Sequence, residues 1–152
     1  MVEQHAAQKL DDIRSRDDIE RLVRAFYDKA IIDDRIGYIF TEVAHLDLDV
    51  HLPTMYSFWE TLLLGARSYN GGAMQKHVAL SRMTSLGAEH FGRWLELWGE
   101  TVDQLFAGEK AEEAKIKAGY IARSMLLRVG QAESAEASPY ARSYGLGAQE
   151  GR

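Results

Sequence analysis

Two histidines, His51 and His77, carry the most chemistry in this sequence. His77 lies in "SYNGGAMQKHVALSR", residues 68 to 82, just after a double glycine and among Met74, Val78 and Leu80. A histidine in that setting is either a packed core residue with one satisfied hydrogen bond or a metal ligand. His51 stands beside the apolar stripe of its own helical segment. The two stand 26 positions apart, far too many for a zinc pair on one helix. That separation suits two side chains facing each other across a slot between helices. Of the other histidines, His5 is close to a terminus and His45 falls in a connector. His90 falls in the first turn of a tryptophan-rich helix, where a charged imidazole opposes the helix dipole. Tyr27 and Trp94 sit on apolar faces. Each is either an ordinary core aromatic or a donor whose O–H or N–H needs a partner, which a bound polar ligand would supply.

Other chemistries find no support. There is no cysteine, so disulfides, thiolate metal sites, iron–sulfur clusters and cysteine nucleophiles are excluded. No two carboxylates share apolar surroundings; Asp47 and Asp49 precede a helix and read as caps. "YNGG" is not followed by the Lys and Ser/Thr of a phosphate loop and reads as a turn. "DDIRSRDD" and "EKAEEAKIK" are mixed-charge, solvated faces. The net charge of −5 and pI near 5.5 argue against a nucleic-acid partner. No apolar run reaches the length of a membrane span and no export signal opens the chain, so a cytoplasmic protein is expected.

The elements that must position these residues are helical. The 152 residues suit one core. Only Pro53 and Pro139 interrupt the pattern, and β-branched alternation is scarce. Helical spacing predicts a helix over 17–34, with Asp17 or Asp18 as its cap. A turn and a short irregular piece follow at 36–40. A helix over 49–66 puts Pro53 within the first turn if Asp49 is its cap. A loop from Gly65 to Gly72 leads to a short helix over 73–82. The clearest stripe runs over 88–108 through Phe91, Trp94, Leu95, Trp98 and Val102, with Gly108 as a left-handed stop. A last helix spans 109–130, ended by Gly130. The expected organisation is a polar extension over 1–16, a domain over 17–130 and a mobile tail over 131–152. The fold class is all-α, about five helices around one core.

Taken together, "FYDKAIIDDRIGYIF", "HLPTMYSFWETLLLGARSYNGGAMQKH" and "HFGRWLELW" resemble the truncated haemoglobins, in particular group III. The order and spacing of Phe-Tyr, His-Leu-Pro, Phe-Trp, Tyr-x-Gly, His and Trp-Leu carry the resemblance, over roughly residues 17–130. It implies a shortened globin, a two-over-two helical sandwich enclosing haem b. By that resemblance His77 is the proximal iron ligand, and Tyr27, His51 and Trp94 form the distal ligand-binding group. Phe40, Met55 and Phe58 pack on the haem, and Lys76 and Arg82 are candidate partners for its propionates.

The implied function is reversible binding of O2, NO and CO in a polar distal pocket. Turnover of NO or reactive oxygen would need a separate reductase, because no flavin or nicotinamide domain is in the chain. A neutral proximal histidine without a carboxylate partner favours weak peroxidase activity at most. The alternative is a haem-based gas sensor or ligand-dependent interaction module, with 131–152 as its only output segment.

Overall fold

The computed structural model describes residues 9–137. Five α-helices make up most of it: α1 (Arg16–Ala30), α2 (Leu48–Leu64), α3 (Ala73–Ser81), α4 (Ala88–Leu105) and α5 (Glu109–Ala137). A π-helical turn, Ile39–Val43, follows α1. No strand occurs among the described residues. α1 packs on α2, α4 packs on α5, and α1 against α4 joins the two pairs; α3 lies on α5. This is the expected two-over-two arrangement. Ile19, Leu22, Val23 and Phe26 of α1 are buried against Trp98 and Val102 of α4, so the apolar stripes meet at the centre.

Several local expectations are corrected. The cap of α1 is Ser15, whose side chain accepts the Asp18 N–H, and not Asp17 or Asp18. The cap of α2 is Asp47, accepting from the Asp49 N–H, rather than Asp49 itself. Pro53 therefore falls in the second turn, where it removes one helical hydrogen bond. α4 does not end on a left-handed Gly108 but on extended Phe106. Gly108 has φ +142, and a Cβ there would come within 2.5 Å of the Asp12 carboxyl carbon. Gly130 does not stop the last helix, which runs to Ala137 into the segment expected as a tail. Of that segment, 138–152 lies outside the described residues, as does His5.

The segment ahead of α1 also contributes more than its polar composition suggests. Ile13 is buried in the core at 1% exposure, although it precedes the expected domain start. Asp12 accepts the backbone N–H groups of Lys110 (2.9 Å) and Ala111 (2.8 Å) and so caps α5. At the far end of α2, the Lys117 ammonium donates to the Leu62 carbonyl at 2.8 Å, which suits the negative end of that helix.

Candidate functional site

A cleft opens between α1, α2, α3, α4 and α5. Its walls are apolar and aromatic, with few polar groups aimed inward. That is the composition of a site for a large, mainly apolar ligand. Six of the sequence-predicted residues line it: Tyr27, Phe40, Met55, Phe58, His77 and Trp94. His51 does not line the cleft itself; it stands behind the Tyr27 hydroxyl. Lys76 and Arg82 are exposed and outside the lining.

The short helix α3 is built to present His77. Gly71 and Gly72, with φ +91 and +100, turn the chain into α3 in a conformation that side chains with a Cβ rarely adopt. Gly72 has no side chain to cap the helix, and the Tyr69 hydroxyl accepts the Ala73 N–H instead, at 3.0 Å. The carbonyl of the same Ala73 lies 2.7 Å from His77 Nδ1. Nδ1–H donates to that carbonyl, which leaves Nε2 unprotonated for a ligand in the cleft. Burial pushes the imidazole below its ordinary pKa, against the smaller opposing effect of the Ala73 carbonyl, so the neutral form is favoured.

On the α1 side, the Tyr27 hydroxyl is 2.8 Å from His51 Nε2. Burial raises the Tyr27 phenol well above its usual range, so it stays protonated. Burial, reinforced by Lys76 and His77, lowers His51 to about 4. The pair is a neutral phenol against a neutral imidazole. The Tyr27 ring is further fixed edge-on between Phe26 (5.1 Å) and Phe40 (5.8 Å). Phe40 comes from the π-helical turn, whose approach is pinned by Asp33. Its carboxylate takes two contacts from the Arg93 guanidinium, at 2.7 and 2.9 Å, and also the Arg35 and Ile36 N–H groups.

His90 is the polar lining residue that the sequence reading passed over. Its Nδ1 accepts the Gly87 N–H at 2.9 Å, so its side chain caps the start of α4. The signal was a histidine three residues after the glycine that opens a helix, the spacing of a capping box. Ile121 and Met125 of α5 also line the cleft, though no stripe was read on that helix.

No family model matches the chain. A curated relative, the group 3 truncated hemoglobin ctb of Campylobacter jejuni, is 28% identical over 122 residues, covering 76% of this chain and 94% of the relative. The crystal structure of a group III truncated hemoglobin from Campylobacter jejuni superposes with a TM-score of 0.69 at 26% identity. That match covers 80% of this chain and 95% of the other. In both sequence and fold the chain is similar to group III truncated haemoglobins. The resemblance read from the sequence is thus met in the fold as well.

The likeness to truncated haemoglobins implies a haem cofactor, and the residues present fit one. The cleft is aromatic-walled, and one wall carries a histidine whose second nitrogen is already satisfied. No helix of the described residues is long and apolar enough to cross a membrane.

Proposed function

We propose that the chain binds haem b through His77 Nε2 and holds O2, and also NO and CO, on the Tyr27 side of the cleft. The observation that carries this reading is the Nδ1 contact of His77 with the Ala73 carbonyl, on the same cleft that Tyr27 and Trp94 line. Haem, when bound, would supply an iron atom able to take a diatomic gas. Everything else is done by side chains of this chain. The Ala73 carbonyl fixes the imidazole orientation and adds modest basicity, less than a carboxylate would. Met55, Phe58 and Phe40 exclude water from the cleft. Lys76 and Arg82 are the cations we assign to the carboxylates at the rim.

The Tyr27 and His51 pair selects the guest. With the proton on His51 Nδ1, Tyr27 donates to Nε2 and offers a guest no proton. With the proton on Nε2, His51 donates to the Tyr27 oxygen, and Tyr27 O–H turns to a guest. A guest that accumulates negative charge favours the second arrangement, so O2 gains more than CO. Each such hydrogen bond is worth roughly 1.5–3 kcal/mol. Trp94 Nε1, which bonds to no described residue, is a second donor of this kind. Slow O2 release suits chemistry better than bulk transport, and turnover of a bound gas needs electrons from a separate reductase.

Stopped-flow displacement of O2 tests this. Tyr27→Phe and Trp94→Phe are each expected to release O2 roughly tenfold or more faster, about 1.4 kcal/mol per decade, with CO release changed less. Equal acceleration for both gases would contradict the polar-pocket reading.

A further inference from the structure

The cleft wall carries a continuous series of aromatic rings, of which gas binding uses only the ends in the cleft, Trp94 as a donor and Phe58 as a wall. Trp94 and Trp98 are parallel within 8° at 6.2 Å, and Trp98 stacks on Trp59 at 4.4 Å and 20°. Trp59 meets Phe58 at 5.4 Å, and Phe58 meets Tyr69 at 5.0 Å. Trp94, Trp98, Trp59 and Phe58 line the cleft; Phe58 and Tyr69 also line a second, shallower groove on the outer surface. The series thus begins beside the haem site and ends at a half-buried tyrosine on the outside. Packing alone does not call for three indoles in register, since leucine fills such space as well.

The geometry points to a path for single electrons, with Tyr69 as a surface oxidation site for phenolic one-electron donors. This rests on the haem reading of the cleft. Indole and phenol are the uncharged side chains that lose one electron most readily once thiols are absent, and the chain has no cysteine. Ring contacts of this length let an electron vacancy pass from ring to ring. Phe58 is not itself oxidised and serves as the bridge between Trp59 and Tyr69. The Trp98 N–H donates to the Ala114 carbonyl at 3.2 Å, which is no base, so the vacancy is not trapped there by loss of the indole proton. The Tyr69 oxygen accepts the Ala73 N–H, and its own O–H loses its proton to water when the electron leaves.

The oxidant is a hydroperoxide. Its O–O bond breaks in the cleft with uptake of two electrons and two protons, giving one alcohol and one water. Each electron leaves a phenol at Tyr69, and each phenol gives one proton to water there. Two phenols become two phenoxyl radicals per hydroperoxide, and protons and electrons balance.

The test adds hydrogen peroxide to the haem-loaded protein with a nitroso spin trap and maps adducts by peptide mass spectrometry. Wild type is expected to carry the adduct on Tyr69. Trp98→Phe is expected to lower it at least tenfold and to move trapped radical to Trp94 or Tyr27; Trp59→Phe serves if that variant does not fold. An unlabelled Tyr69 in wild type, or equal labelling in both ladder variants, overturns the path. A haem-independent arm uses Glu89→Cys, carrying a ruthenium photo-oxidant near Trp94. A flash-induced phenoxyl band that disappears with Tyr69→Phe supports the path even if haem does not bind. Absence of that band in the folded labelled protein counts against the path even if haem does.

Discussion

The Tyr27–His51 hydrogen bond is decided by one imidazole that resists protonation. His51 has an ordinary pKa near 6.5 in the unfolded chain and about 4 in the folded one. Below pH 6.5 the unfolded chain takes up a proton that the folded chain refuses, so this group lowers stability progressively as pH falls from 6.5 toward 4. Above 6.5 both states are neutral and it contributes no pH dependence. The Tyr27 contact persists through the same window, because a neutral Nε2 remains available. An NMR titration should show the His51 ring signals flat from pH 8 to 5.5. An inflection near 6.5 would mean that the imidazole is hydrated and detached from Tyr27. His51→Ala removes the partner of Tyr27, and ligand on-rates should rise if His51 screens the entrance; unchanged rates would leave it a fixed partner only.

The residues that proved legible at this scale are those whose chemistry is local. His77 was readable because the carbonyl that orients it lies four residues back in the same helix. For His90 only the cost of a charged imidazole near the helix start was weighed; its capping contact with the Gly87 N–H comes from the helix geometry. The position of His51 behind Tyr27 rests on how α1 meets α2, which no spacing within either helix contains.

At the scale of elements, two polar staples hold the walls of the cleft. Asp33 is the tighter, with its side chain 6% exposed and Arg93 at 2.7 Å. The Arg93 guanidinium, helped by the Arg35 and Ile36 N–H groups, holds its carboxyl below the usual range. Arg93→Ala leaves that carboxylate partly desolvated and should cost about 1–3 kcal/mol. The loss should appear first as faster hydrogen exchange over residues 36–43; uniform change across the protein would argue against a local staple.

Asp12 is the second staple. Burial alone would raise its pKa, but the Lys110, Ile13 and Ala111 N–H groups outweigh that and lower it. A carboxylate depressed in this way stabilises the fold above its unfolded pKa of about 4, and the contribution is lost as pH falls below that. Asp12→Ala should lower stability by about 0.5–2 kcal/mol at pH 7 in thermal or urea unfolding, and by less at pH 3. An equal loss at both pH values would show that the effect is not the cap's charge. Asp12 could not be read in advance, because it acts on a helix 98 positions along the chain. The cap at Ser15 was missed by two positions or so, and of Asp47 and Asp49, both read as caps, only the structure singles out Asp47, since neighbouring Ser and Asp all satisfy the same rule.

For the whole molecule, the class and order of elements followed from helical periodicity, because the two central helices, α1 and α4, are strongly amphipathic and bury their own stripes. The cleft did not follow from periodicity. It exists because α3 is short and set off by two glycines with positive φ, so α2, α4 and α5 do not close over it. A haem that fills this space adds apolar contact to the core. Holo-protein should melt higher than apo-protein by an amount that grows with ligand excess over its dissociation constant. Calorimetry at two hemin ratios checks this, and identical melting temperatures would mean that the cleft does not take the cofactor.

The most direct test of the central claim is the visible spectrum of the hemin-reconstituted protein, oxidised, reduced and with carbon monoxide, for wild type and His77→Gly with and without added imidazole. The account predicts a strong Soret band in wild type that moves on reduction and again with carbon monoxide. It predicts an altered or lost band in the variant, restored by imidazole. A wild-type protein that stays colourless, or a variant whose spectra match wild type without imidazole, would contradict it.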